Sequence, residues 1–156
     1  MALSCSVYIV EDVEAVARSL SVLLQLCGYH PHLHATADPL LAAAAELPPG
    51  CLLIDYSLPG TNGLEVLDAL RERGFRWPAI LMTGHELDGI ERDAKRAGVR
   101  CVLEKPFDTE RLAAELEAVA RLLPADAREA RTRRAVGAPW RPGEPAPRQG
   151  RSLAEA

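Results

Sequence analysis

The sequence predicts an α/β fold: five parallel strands alternating with helices that cover both faces of one sheet. Three observations carry this expectation. Short apolar runs of strand length recur along the first 123 residues, namely SVYIV (6–10), CLLI (51–54), AILM (79–82) and VRCVL (99–103). Segments between them place apolar residues at helical spacing. Gly and Pro punctuate the boundaries. Strands that alternate with helices in this way form βαβ units and a parallel sheet.

The elements follow in order. Ser6–Val10 is a β-branched and aromatic strand. Val16, Leu20, Leu23, Leu24 and Cys27 then recur on one helical face, and Gly28 stops that helix. Residues 32–36 read as a weak second strand, and Pro39–Leu47 as a short Ala-rich helix before the Pro48-Pro49-Gly50 break. The third strand is the apolar run 51–54, the pattern of a strand buried on both faces. Asn62 is the expected N-cap of a helix through Leu64, Leu67 and Leu70, ended by Gly74. The run 79–82 is the fourth strand. A polar helix over 86–97 carries a thin apolar stripe of Leu87, Ile90 and Ala94. The fifth strand is 99–103, and Asp108 caps a last helix through Leu112, Leu116, Val119 and Leu123.

Composition narrows the function classes. The chain has 156 residues, 48% hydrophobic and 26% charged, suited to one domain with an appendage. No apolar run approaches the roughly 20 residues needed to span a bilayer, and Glu11-Asp12 interrupts any signal-peptide core. A cytoplasmic protein without a membrane partner is expected. Residues 1–123 hold eleven Lys+Arg against eighteen Asp+Glu, a net charge of −7. Such a body disfavours nucleic acid as its main partner. Residues 124–156 are different: seven Arg against four acids, five Pro, and few large apolar residues. The expected organisation is a domain over 4–123 and a Pro/Arg/Ala-rich, largely disordered tail over 124–156, with 125–135 a candidate extension of the last helix. The tail's arginines and Trp140 are read first as a solvated segment, with a short docking motif as the alternative. Cys5, Cys27, Cys51 and Cys101 are widely spaced without a C-x-x-C pair, so they read as core fillers rather than zinc ligands. His30, His32 and His34 alternate on the weak second strand and are expected at an exposed edge.

The chemistry lies at the strand ends. The first strand ends in Glu11-Asp12, the third in Asp55, the fourth in Thr83, and the fifth in Lys105. Each has a plain structural alternative: a helix cap, a turn residue, a solvated lysine. Ligands of open α/β sheets nevertheless bind at the carboxyl ends of strands, where all of these residues fall. Three gathered carboxylates repel unless a cation compensates, and an oxygen-only set suits Mg²⁺ or Mn²⁺. A lysine beside them pairs with an incoming dianion as a point charge. A hydroxyl at Thr83 and backbone N–H groups can hold further phosphoryl oxygens. Carboxylates form acyl phosphates, and Asp55 on the central strand is the best-placed nucleophile.

The ordered set Glu11-Asp12, Asp55, Thr83 and Lys105-Pro106 resembles the receiver domains of bacterial two-component response regulators. The run IDYSLPGTNG (54–63) has that family's Pro and Gly after the phosphoacceptor, and LMTGH (81–85) and EKPF (104–107) resemble its FixJ-type branch. The resemblance spans about residues 4–123. It implies a flavodoxin/CheY-like sheet of order 2-1-3-4-5. It further implies Mg²⁺ held by Asp12 directly, Glu11 through water, Asp55, and the backbone carbonyl of Ser57. Asp55 is then the acceptor of phosphate from a sensor histidine kinase or phosphotransfer protein. Thr83 and the Gly84 N–H contact the phosphoryl group, Lys105 bridges to it, and the Lys105–Pro106 bond is cis. The resemblance also implies an aromatic residue three positions before the lysine, where this chain has Val102. The 33 residues after 123 are too few for a helix-turn-helix domain. Output is therefore expected by docking on a downstream protein, through the fourth helix, fifth strand and fifth helix, or by passing phosphate onward in a relay, with no direct DNA binding. The chain is read as a regulator, at most slowly self-dephosphorylating, and not as a metabolic enzyme. A phosphate-independent interaction module is the main alternative. A metal-dependent phosphatase of similar fold ranks below it, because no Gly-rich phosphate loop follows the first strand.

Overall fold

The structure, a computed structural model, describes residues 4–84 and 87–125. Its main sheet contains β1 (Ser6–Val10), β2 (His30–His34), β3 (Gly50–Asp55), β6 (Ala79–Thr83) and β7 (Cys101–Glu104). They lie in the order β2-β1-β3-β6-β7, all pairs parallel. Counted as main-sheet strands, this is the expected 2-1-3-4-5. The helices are α1 (Glu14–Leu26), α2 (Ala37–Ala43), α3 (Gly63–Glu72), α4 (Leu87–Arg96) and α5 (Thr109–Ala120), with one 3₁₀ turn at Ala44–Glu46.

The sheet separates two apolar layers, as the alternation of side chains along each strand requires. Val7, Ile9, Leu53, Ile80 and Met82 face α1 and α5, where Leu20, Leu24, Leu112 and Leu116 meet them. Tyr8, Val10, Leu52, Ile54 and Leu81 face the other helices, packing on Leu40, Leu67, Leu70, Ile90 and Ala94. The three central strands are buried at nearly every position, which is why they read as continuous apolar runs.

The two caps form as the sequence indicates. Asn62 Oδ1 accepts the Glu65 N–H at 3.0 Å, and Asp108 Oδ1 accepts the Arg111 N–H at 2.7 Å.

Several boundaries differ from expectation for physical reasons. β2 spans 30–34 rather than 32–36 and runs through Pro31. An edge strand needs ladder bonds on one side only, so it tolerates the missing N–H. Helix α2 begins at Ala37, two residues before Pro39, and closes as a 3₁₀ turn. β7 starts at Cys101 because Val99 is taken by α4, its N–H bonding the Ala94 carbonyl at 2.9 Å. A small antiparallel ladder, β4 (Ser57–Leu58) with β5 (Thr61–Asn62), was not expected. It turns through Pro59-Gly60, where Gly60 adopts φ +73°. Cys5 and Cys51 are buried as expected, but Cys27 and Cys101 are only half-buried.

Gly63 brings the start of α3 into close contact with the sheet beneath the acidic residues. A Cβ there would stand 2.6 Å from the Asp55 carbonyl oxygen and 2.7 Å from Leu81 Cδ1. The start of α3 therefore rests on the backbone of Asp55. Gly63→Ala is expected to destabilise the fold by about 1–3 kcal/mol, because backbone must move. Urea denaturation of the variant measures this.

Candidate functional site

The strand ends converge as the sequence indicates. Backbone bonds carry the ladder one step past each strand and so fix the loops. The Glu11 N–H bonds the His34 carbonyl at 3.0 Å, the Tyr56 N–H the Met82 carbonyl at 2.7 Å, and the Lys105 N–H the Thr83 carbonyl at 2.7 Å. These bonds tie the residue after β1 to β2, the residue after β3 to β6, and the residue after β7 to β6.

Glu11, Asp12 and Asp55 each bring a carboxylate oxygen within 4.8 Å of the others. Glu11 and Asp55 are buried, whereas Asp12 is exposed. Lys105 reaches into this group from the loop after β7. Its Nζ donates to Glu11 Oε2 at 2.6 Å and to Asp55 Oδ2 at 3.0 Å. The lysine is the counter-cation of both buried carboxylates. The other Glu11 oxygen accepts the Val13 N–H at 3.1 Å, which turns the chain towards α1 without capping that helix, whose N-cap is Val13. Asp55 Oδ1 accepts the Ser57 N–H at 3.2 Å, which turns the loop after β3 around the carboxylate.

The electrostatics follow from this geometry. Burial raises the Glu11 pKa above the ordinary carboxylate range and the Asp55 charge adds to the rise, although Lys105 and the Val13 N–H oppose it. Burial pulls Lys105 down, but its bonds to Glu11 and Asp55 outweigh that and raise it overall. The lysine stays cationic.

Thr83 is fully buried at the end of β6. Gly84 follows it, exposed, with open space where a Cβ would stand. The Lys105–Pro106 peptide bond is cis. Val102 is half-buried on β7 and packs on the layer beneath α3 and α4. Glu86 lies outside the described residues, as do residues 126–156 with Trp140 and the arginine-rich run.

One expectation near the site is corrected. The three histidines of β2 are not an exposed edge. His30 and His32 are half-buried, with Nε2 atoms 3.0 Å from Ser4 Oγ and 2.7 Å from Ser6 Oγ. His34 is 9% exposed, and neither ring nitrogen has a partner among the described residues. It sits beside Val10 in register, under α2, where an edge strand still has one covered face. Burial lowers its pKa from 6.5 to about 4. The unfolded chain thus protonates this ring at a higher pH than the folded one, so stability falls as pH drops from 6.5 towards 4. His34→Phe is expected to lose about 2 kcal/mol less than the parent between pH 7 and pH 5. Urea midpoints at the two pH values test this.

The donor set is oxygen-only, partly open to solvent and short of positive charge. It fits a hard divalent cation such as Mg²⁺. No sequence signal revealed that Lys105 would pair with Glu11 as well as with Asp55, since 94 and 50 residues separate them.

Comparison with known proteins agrees with this geometry. The family model for the response regulator receiver domain matches residues 7–117. The transcriptional regulatory protein FixJ of Azorhizobium caulinodans is 36% identical over 115 residues, covering 74% of this chain and 54% of that protein. The response regulator protein TmoT of Ectopseudomonas mendocina is 32% identical over 118 residues, covering 76% of this chain and 54% of that protein. The chain thus spans about half the length of the curated relatives it matches. Among solved structures, the crystal structure of FixJ-N superposes with a TM-score of 0.73 at 31% identity, covering 78% of this chain and 97% of that one. Full-length FixJ from B. japonicum gives 0.71 at 32% identity, covering 81% of this chain and 60% of that one. The fold, the convergence of acids and lysine, and these likenesses agree: the chain belongs to the response regulator receiver domain family.

Proposed function

We propose that the chain is the phosphoacceptor switch of a two-component phosphorelay, taking a phosphoryl group from a phosphohistidine onto Asp55. The observation that carries the reading is the arrangement around Asp55. Its buried carboxylate stands at a strand end, 3.0 Å from the Lys105 ammonium and within a group of three acids.

In the transfer, an Asp55 oxygen attacks phosphorus, the P–O bond forms as the P–N bond breaks, and the histidine nitrogen leaves with the electron pair. Glu11, Asp12, Asp55 and the Ser57 carbonyl would hold Mg²⁺, or Mn²⁺ in its place. When bound, such a cation would neutralise charge on the transferring oxygens. Lys105 supplies a positive charge from the chain itself, 3.0 Å from Asp55 Oδ2, and the Thr83 hydroxyl and Gly84 N–H offer donors to the remaining oxygens. Ser57 N–H, bonded to Asp55 Oδ1, leaves Oδ2 on the lysine side.

The donor is a sensor histidine kinase or phosphotransfer protein. Output passes by docking on a downstream protein, without direct DNA binding, in the cytoplasm. Among the described residues no helix is long and apolar enough to cross a membrane. The receiver unit is taken as 4–123 with 124–156 as its tail. Incubation with Mg²⁺ and a small phosphodonor tests the reading. One phosphoryl group per chain is expected, and none once the cation is chelated. No uptake in Mg²⁺ would contradict it.

Val102 favours a second reading, a module that binds its partner regardless of phosphate. Packed in the apolar layer, a valine has no ring to swing when Thr83 engages phosphate. Partner affinity unchanged by phosphorylation would support that reading over the switch.

A further inference from the structure

A groove of about 570 Å³ opens at the other end of the molecule, where the main-sheet strands begin. Four cations line it: Arg71 at the end of α3, Arg76 before β6, Lys95 at the end of α4 and Arg100 before β7. Glu91 is the only acid among its lining residues. Helix dipoles account for cations at the ends of α3 and α4, but Arg76 and Arg100 lie in loops. None of the four forms an ion pair among the described residues. Arg71 donates to the Phe75 carbonyl at 3.0 Å, and burial together with the neighbouring Arg76 guanidinium lowers its pKa. Over a third of the eleven cations of residues 1–123 thus gather in one groove of a body with net charge −7. The floor between them is apolar: Pro78, Ala94, Val99, Val102 and Leu122, the last 56% exposed.

We propose that this groove receives a Glu/Asp-rich segment of a partner protein, with carboxylates on the four cations and aliphatic side chains on the floor. The proposal rests on the docking output described above and gives the partner a chemistry. Charge complementarity selects this occupant. Guanidinium forks match carboxylates in pairs, and the apolar floor has no use for a bare polyphosphate. The chain's own tail does not suit the groove, since residues 126–156 hold seven arginines against four acids. A nucleic acid extending past the groove would meet the acidic body.

The test uses the full chain and fluorescein-labelled synthetic peptides, one of alternating Glu and Leu, one of alternating Lys and Leu. The Glu/Leu peptide is expected to bind with salt-sensitive affinity and to shift backbone amide signals of residues 71–78 and 94–102. The double variant Arg71→Gln/Arg76→Gln should weaken it about tenfold or more. Should that variant fold poorly by thermal unfolding, Arg100→Glu takes its place, with the same expected loss. Equal binding of both peptides, affinity untouched by the variants, or shifts at the Asp55 end would overturn the proposal. So would inorganic tripolyphosphate or a single-stranded RNA binding the groove more tightly than the peptide. Asp55→Asn is carried in parallel. A parent chain that takes up no phosphate, like Asp55→Asn, but still binds the peptide at the groove loses the phosphoacceptor reading and keeps this one.

Discussion

Asp55→Asn is expected to take up no phosphoryl group from a small phosphodonor in Mg²⁺, while the parent chain is expected to take up one. The amide oxygen of Asn lacks the anionic lone pairs that attack phosphorus, and its nitrogen cannot hold an acyl phosphate. The substitution keeps the volume of a side chain that is 5% exposed. The amide oxygen still accepts either the Ser57 N–H or the Lys105 ammonium, and Lys105 keeps its 2.6 Å bond to Glu11. Stability is therefore expected within about 1 kcal/mol of the parent, so the loss of uptake reports chemistry rather than unfolding. Intact-mass spectrometry gives the first result and a urea melt the second. Labelling that survives in Asp55→Asn would sink the assignment of the acceptor.

Lys105→Met carries the second large effect. It leaves Glu11, whose side chain is fully buried, and Asp55 without their shared cation. Stranding buried carboxylates in this way is expected to cost roughly 2–4 kcal/mol at pH 7. The Glu11 pKa already lies above its unfolded value, and losing Lys105 raises it further, since Lys105 is what opposes burial there. A carboxyl group raised by folding favours the folded state at low pH and loses that benefit as pH rises through its folded pKa. The deficit of the variant should accordingly shrink as pH falls from 7 towards 5. Millimolar Mg²⁺ should also reduce it, by binding the folded carboxylates alone. Urea denaturation across pH, with and without Mg²⁺, measures both effects. A variant as stable as its parent at pH 7 without Mg²⁺ would show that the ion pairs contribute nothing.

The sheet was legible where burial is two-sided. CLLI and AILM are continuous apolar runs because β3 and β6 are covered on both faces, and the polar residue that ends each run marks a strand end. That is why Asp55 and Thr83 stood out. The sequence points to β2 two residues late because HPHLH has no such run and its Pro looks like a breaker. The burial of His34 was hidden for the same reason: which face of an edge strand is covered depends on α2, not on the strand's own pattern. Of the site, the meeting of Glu11, Asp12 and Asp55 was legible from the parallel-sheet rule. The double engagement of Lys105 and the rest of α3 on Asp55 through Gly63 were not, since both depend on distances set by packing. The basic groove left no local signature. Arg71, Arg76, Lys95 and Arg100 are scattered along thirty residues and converge only when two helix ends and two strand starts meet.

Whether Asp55 is the acceptor is decided by locating the phosphoryl group itself. The chain is phosphorylated in Mg²⁺, reduced with borohydride, digested and sequenced by mass spectrometry. Reduction of an aspartyl phosphate leaves a homoserine, which is expected at position 55 alone. Homoserine at Asp12, or a stable phosphate on a serine, threonine or histidine with Asp55 untouched, would contradict it.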